Sequence, residues 1–149
     1  RQCTCTPTQV NRYRSRISGP LLDRIDIQVE VSNVDYEDLS STENSETSAE
    51  IKKRVNKTRK LQLERYKDYN IYSNSQLDAG MLKKFCPLGE EENAILRAAF
   101  DNLGLSARAH SRILKVARTI ADLEGSENIK SEHIAEAIQY RSLDRKYFE

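Results

Sequence analysis

Residues 18–31 read Ser18-Gly19-Pro20-Leu21-Leu22-Asp23-Arg24-Ile25-Asp26-Ile27-Gln28-Val29-Glu30-Val31. Gly19 gives the backbone freedom and Pro20 fixes φ and lacks an N–H, so a helix arriving from the N-terminal side must end here. Behind them Ile25, Ile27, Val29 and Val31 alternate with polar residues, the period-two pattern of a strand with one apolar face. The stretch therefore predicts a turn feeding a single strand, with Arg24 at their junction. A guanidinium in that place projects from firm backbone and offers a fork of donors suited to a phosphate or carboxylate. The alternative for Arg24 is a surface ion pair with Asp23 or Asp26.

Upstream, Thr6-Pro7-Thr8-Gln9 is a helix start, with Thr6 as cap, Pro7 at the first helical position and Gln9 three residues beyond the cap. The helix is predicted to run to about Ile17. Downstream, residues 32–47 are rich in Ser, Asn, Asp and Glu and read as a linker. From about Ser48 to Tyr66 the pattern is helical, with Ile51, Val55, Leu61 or Leu63 and Tyr66 as the expected inward stripe. The rest of that helix is basic, and Lys52, Lys53, Lys57 and Lys60 are candidate DNA contacts, against the reading of a solvated charged face. Three more helices are predicted over Leu77–Phe85, over Gly89–Leu103 with Gly104 closing it, and from a Ser106 cap to about Glu124 before Gly125. A last one runs from about Glu132 to Tyr140. The expected fold class is mostly α: a bundle of four to five helices preceded by a short helix and one strand, the strand having no evident partner in the chain.

Composition narrows the possibilities. The 149 residues are 38% hydrophobic and 32% charged, against typical values of roughly 45–50% and 25%. Long solvated helical faces are therefore expected. Twenty-four basic and twenty-three acidic side chains leave a net charge of +1, so nucleic-acid binding would need a local patch and not a whole-molecule field. No apolar run approaches the ~20 residues of a membrane span and no secretory leader is read, which predicts a cytoplasmic protein. Three cysteines, an odd number, argue against a disulfide framework. Cys86 reads as a small buried hydrophobe, since no general base stands near it in sequence. Cys3 and Cys5 could offer two thiolates to one metal, but a structural zinc site wants four ligands.

Two motifs carry a resemblance. Tyr13-x-x-Arg16-x-Ser18-Gly-Pro-Leu-Leu-Asp-Arg-Ile-Asp26 is similar to the end of the ATPase core in magnesium-chelatase-like AAA+ proteins of the YifB/ComM family. Leu105-Ser106-Ala107-Arg108-Ala109, continuing through Arg112 to Leu123, and His133-Ile-x-Glu-Ala-Ile-Gln-Tyr-Arg141 resemble that family's C-terminal helical lid in the same order. The match is weakest between about Val34 and Glu92. It implies three parts: residues 1–31 as the end of the core, 32–47 as a hinge, and 48–149 as the lid domain. It implies that Arg24 is a catalytic arginine finger acting in trans in a neighbouring subunit of a hexameric ring. Arg108 would be the nucleotide-binding sensor-2 residue, with Arg112 one turn further on the same side. Local chemistry agrees for Arg108, since the first turn of a long helix gathers positive potential and favours an anion. Ion pairs with the glutamates of the preceding helix are the alternative.

The resemblance further implies that Cys3 and Cys5 are half of a zinc-binding knuckle in a longer parent protein, so no metal is expected in this chain. The parent would use ATP and magnesium. In this chain no G-x-x-x-x-G-K-[ST] run is present to cradle phosphates, and it is not expected to hydrolyse ATP alone. The ComM branch suggests a motor driving branch migration of DNA during recombination. A non-enzymatic helical DNA-binding domain and the lid of a metal-chelatase ATPase subunit are the competing readings.

Overall fold

The computed structural model describes residues 3–32 and 45–141. Most of the linker read at 32–47 and the last eight residues of the lid read at 48–149 lie outside them. Among the described residues there are seven α-helices in chain order: α1 (Pro7–Arg14), α2 (Gly19–Leu22), α3 (Ser48–Tyr66), α4 (Ala79–Phe85), α5 (Glu90–Leu103), α6 (Ala107–Glu124) and α7 (Ser131–Gln139), with a 3₁₀ turn at Asn74–Gln76. The architecture is the mostly α bundle the sequence predicts.

Capping chemistry sets most boundaries. Thr6 and Gln9 form a reciprocal capping box on α1, and Thr47 and Glu50 do the same on α3, where the Thr47 backbone N–H holds the Glu50 carboxyl below its usual range. Asp78 and Ser106 accept from Met81 N and Ala109 N at the starts of α4 and α6. Gly104 and Gly125 take left-handed conformations (φ 56° and 83°) to close α5 and α6. In α7 an imidazole replaces the usual carboxylate of a capping box: His133 Nδ1 accepts from Lys130 N at 2.9 Å while Nε2 faces Glu124 at 2.8 Å.

The core lies where α6 meets α7, α5 and α4. Leu77, Leu82, Leu96, Ile113, Ala117, Ala121, Ile129 and Ile134 are buried there together with Tyr66, and Phe85 meets Tyr66 edge-on at 5.0 Å. Cys86 belongs to this core, and burial pushes its thiol up to about 11.

Three expectations change. First, α1 stops at Arg14, and Gly19-Pro20-Leu21-Leu22 is a single helical turn behind Ser18 rather than a plain turn. Second, the run from Ile25 to Val31 forms no strand; among the described residues there is none for it to pair with. It lies instead along α6 and α7, where Gln28 N donates to Tyr140 O at 2.9 Å. Ile27 and Val29 line one side of a groove of about 420 Å³ whose other side is Val116, Ile120, Leu123 and Tyr140. Third, Ile51, Val55, Leu61 and Leu63 of α3 are exposed, and the residues that α3 buries are Thr58, Gln62 and Tyr66. At 100° per residue Ile51 and Val55 share that face, but residues 48–57 are all exposed, so only the second half of α3 seats on the bundle.

What seats it is polar. Asp122 of α6, its side chain fully buried, accepts from Arg65 Nη1 and Nη2 (2.9 and 2.5 Å), Arg118 Nε (3.0 Å), Asn74 Nδ2 (2.9 Å) and Gln62 Nε2 (3.3 Å). Arg118 spends its other nitrogens on the carbonyls of Ser126 and Glu127, and Tyr66 donates to Asn74 Oδ1 at 2.6 Å. Burial would raise the Asp122 carboxyl, but Arg65, Asn74 and Arg118 outweigh it and hold it below the usual carboxylate range.

Candidate functional site

Arg24 follows the one-turn helix α2. Asp23 N, Arg24 N and Ile25 N bond back to the carbonyls of Gly19, Leu21 and Leu22 at 2.9–3.0 Å, so the residue is displayed from a closed turn. Its side chain is exposed, with Nη1 resting on Pro20 O at 3.1 Å. The two acids that could have neutralised it are committed elsewhere. Asp26 is ion-paired with Arg112 of α6, and Asp23 Oδ1 stands 3.5 Å from Nη2 of Arg141. Among the described residues no carboxylate pairs with Arg24, and the surface ion-pair alternative does not form there.

Arg108 lies in the first turn of α6, which Ser106 caps through Ala109 N. It is exposed, and among the described residues nothing pairs with it. The glutamates of α5 do not reach it. Glu92, the one with a mapped partner, takes Gly89 N and the hydroxyl of Ser131, which hold its carboxyl below the usual range. Helix polarity and a free guanidinium thus coincide at the start of α6, an arrangement that receives an anion. Arg112, one turn on, is occupied by Asp26.

The candidate DNA contacts Lys52, Lys53, Lys57 and Lys60 are exposed on α3, and no acid pairs with them among the described residues. Lys53, Lys57 and Lys60 fall within about 60° of one another on the side opposite Thr58 and Gln62; Lys52 stands apart from them.

Cys3 and Cys5 are exposed, and contact with Cys5 lowers the Cys3 thiol while raising its own. Two thiols are half of what a tetrahedral zinc site needs, and among the described residues no further His, Cys or carboxylate joins them. The residues present do not by themselves fit the metal. A second cluster, Glu124, Glu132 and His133, brings three ligand-type atoms within 4.8 Å of one another. Since His133 Nδ1 accepts from Lys130 N, its Nε2 carries the proton toward Glu124 and has no lone pair for a cation. That cluster is structural.

Arg141 is what sequence reasoning missed here. It ends the last matched motif and had no role assigned to it, yet it is among the most buried side chains of the described residues.

With this geometry in hand, the kinship of the chain is clear. Residues 45–141 match the family described as magnesium chelatase, subunit ChlI C-terminal, and residues 1–39 match magnesium chelatase, subunit ChlI. The chain belongs to the magnesium-chelatase-like AAA+ proteins, in the ComM/YifB family. It is 43% identical over 141 residues to competence protein ComM of Haemophilus influenzae, covering 94% of this chain and 27% of that protein. To YifB of Escherichia coli it is 42% identical over 142 residues, 95% of this chain and again 27% of the relative. The chain thus spans about a quarter of the length of the relatives it matches. No helix among the described residues is long and apolar enough to cross a membrane.

Proposed function

We propose that this chain is the C-terminal part of a ring-forming AAA+ ATPase, the end of its core joined to its helical lid, and that Arg24 and Arg108 are the two arginines it contributes to ATP hydrolysis. Arg108 senses the nucleotide of its own subunit; Arg24 acts in trans on that of the neighbour. ATP with magnesium supplies the transferable phosphoryl group, and this chain's task is to set guanidinium charge where the transition state spreads negative charge. The observation that carries the reading is the pairing pattern: both acids beside Arg24 are taken by other arginines, while Arg24 and Arg108 keep exposed guanidinium groups. Arg112, expected beside Arg108 on the nucleotide, is assigned to Asp26 instead.

The test is Arg108→Ala in the full-length protein. Turnover should fall by on the order of 10²-fold, as for loss of one preorganised donor to developing charge, with the fold unchanged by circular dichroism. Turnover equal to wild type sinks the nucleotide role of Arg108.

The exposed lysines of α3 favour DNA as what the ring works on, and the name of the Haemophilus relative, a competence protein, is in line with it. Replacing Lys52, Lys53, Lys57 and Lys60 together by Ala should weaken DNA binding by the full-length protein and reduce its log–log salt slope by about 3. An unchanged slope in fluorescence anisotropy means that this face does not touch phosphates.

A further inference from the structure

We propose that Arg141 is a positioning residue for Arg24, the clamp through which the helical bundle sets the direction in which that arginine points. The inference rests on the reading of Arg24 given above and adds a residue and a route of coupling to it.

The N-terminal stretch has little apolar attachment of its own. Of the described residues 3–32, Leu22 alone is buried, while Ile25, Ile27, Val29 and Val31 are all exposed. Apolar burial is non-directional, and one buried leucine leaves the turn free to pivot. The orientation of the turn must therefore come from directional contacts. Arg141, just after α7 and with its side chain 1% exposed, acts on both sides of Arg24: Nη1 donates a hydrogen bond to Ile25 O at 2.8 Å, and Nη2 stands at ion-pair distance, 3.5 Å, from Asp23 Oδ1. The planar guanidinium gives one nitrogen to the Ile25 carbonyl while its charge faces the Asp23 carboxylate, a division that the compact ammonium of a lysine does not reproduce. One buried group thus grips the residue before and the residue after the proposed finger, across 116 positions of sequence.

Two further contacts continue the grip along the chain. Gln28 N donates to Tyr140 O at 2.9 Å, beside Arg141, and Asp26 is ion-paired with Arg112. Arg112 sits one helical turn beyond Arg108. Hence the end of α6 that carries the proposed nucleotide sensor and the turn that carries the proposed finger are joined through Arg112 and Asp26, with Arg141 fixing the angle. A displacement of about 1 Å at a charge that must meet a transferring phosphoryl group can cost on the order of 10²-fold in rate, so a loosened clamp would be felt in turnover.

The experiment uses the full-length protein with Arg141→Lys, which keeps the charge and loses the fork, and Asp23→Asn, which removes one gripped group without emptying the buried site. Two readouts are taken. Amide hydrogen exchange over residues 23–28 should speed up by about tenfold or more in both variants while the amides of α6 stay protected; unchanged exchange over 23–28 overturns the clamp. ATP turnover should fall about 10- to 100-fold with ATP affinity unaltered, and combining either variant with Arg24→Ala should bring no loss beyond that of Arg24→Ala alone. Additive losses would mean that Arg141 acts elsewhere and overturn the proposal. If exchange rises but Arg24→Ala itself turns over like wild type, the clamp holds and the finger reading is what fails.

Discussion

Full-length protein carrying Arg24→Ala should bind ATP as tightly as wild type and turn it over at least 10³-fold more slowly, the scale on which an arginine finger contributes to phosphoryl transfer. The two halves of that expectation separate the mechanisms. An arginine supporting the bound ground state would weaken ATP binding as it slowed turnover, whereas one meeting only the transition state leaves affinity alone. The proposed finger role predicts the second. The guanidinium stands clear of its own bundle, its closest mapped contact is the Pro20 carbonyl, and the neighbouring acids are bound to Arg112 and Arg141. On the proposed reading the site it serves belongs to another subunit. Mixing the variant with inactive wild-type-finger subunits, for example a nucleotide-site mutant, should therefore restore part of the activity, since an intact finger then faces an intact site at some interfaces. No complementation at any ratio would place Arg24 in its own subunit's chemistry, and undiminished turnover by Arg24→Ala alone would reduce it to a surface residue.

Asp122→Ala should cost about 3–5 kcal/mol of stability, because it strands two guanidinium groups that a buried carboxylate now neutralises. Arg118 is 2% exposed and its other nitrogens are fixed on Ser126 and Glu127, so it cannot swing out to water. Asn74 and Gln62 lose an acceptor at the same time. The pH dependence follows from the sign of the shift. The folded carboxyl is held below its ordinary range, so the unfolded chain binds the proton more readily. Its contribution is complete above the unfolded pKa of about 3.9 and disappears as the pH falls through the lower, folded value. Urea denaturation followed from pH 7 to pH 3 should show this acid limb in wild type and its flattening in Asp122→Asn. A loss under about 1 kcal/mol for Asp122→Ala would mean that α3 is held by packing and not by the network.

How far each feature was legible depended on whether its physics is local. The caps at Thr6 and Ser106, and the stops at Gly104 and Gly125, are decided within four or five residues and were legible for that reason. The Arg24 turn and the start of α6 were legible for the same reason, with the resemblance supplying their roles. The face of α3 was misread because periodicity counts apolar residues, and this helix docks with Thr58, Gln62, Arg65 and Tyr66 onto a buried acid that lies 57 positions away from Arg65. Nothing local in Arg118-Thr119-Ile120-Ala121-Asp122 announces that its charges face inward. The alternating run from Ile25 to Val31 was misread as a strand because alternation states which side is apolar and not whether a partner strand exists; here the backbone bonds to the end of α7. Arg141 was overlooked for the same want of range, since its partners Asp23 and Ile25 belong to the other end of the chain.

The half-seated α3 has a mechanical meaning. Its first buried residue is Thr58, ten residues from its start, and at 1.5 Å per residue that leaves an arm of about 15 Å exposed among the described residues. Apolar stripes can slip past one another, but a carboxylate held by four side chains fixes one register, so the arm is stiff and its root does not slide. A tilt of about 10° at that root carries Ser48 through about 3 Å, while side chains beside Asp122 move by a fraction of that. The helix is a lever with its fulcrum in the polar lock, and the largest displacements fall at its exposed first turn.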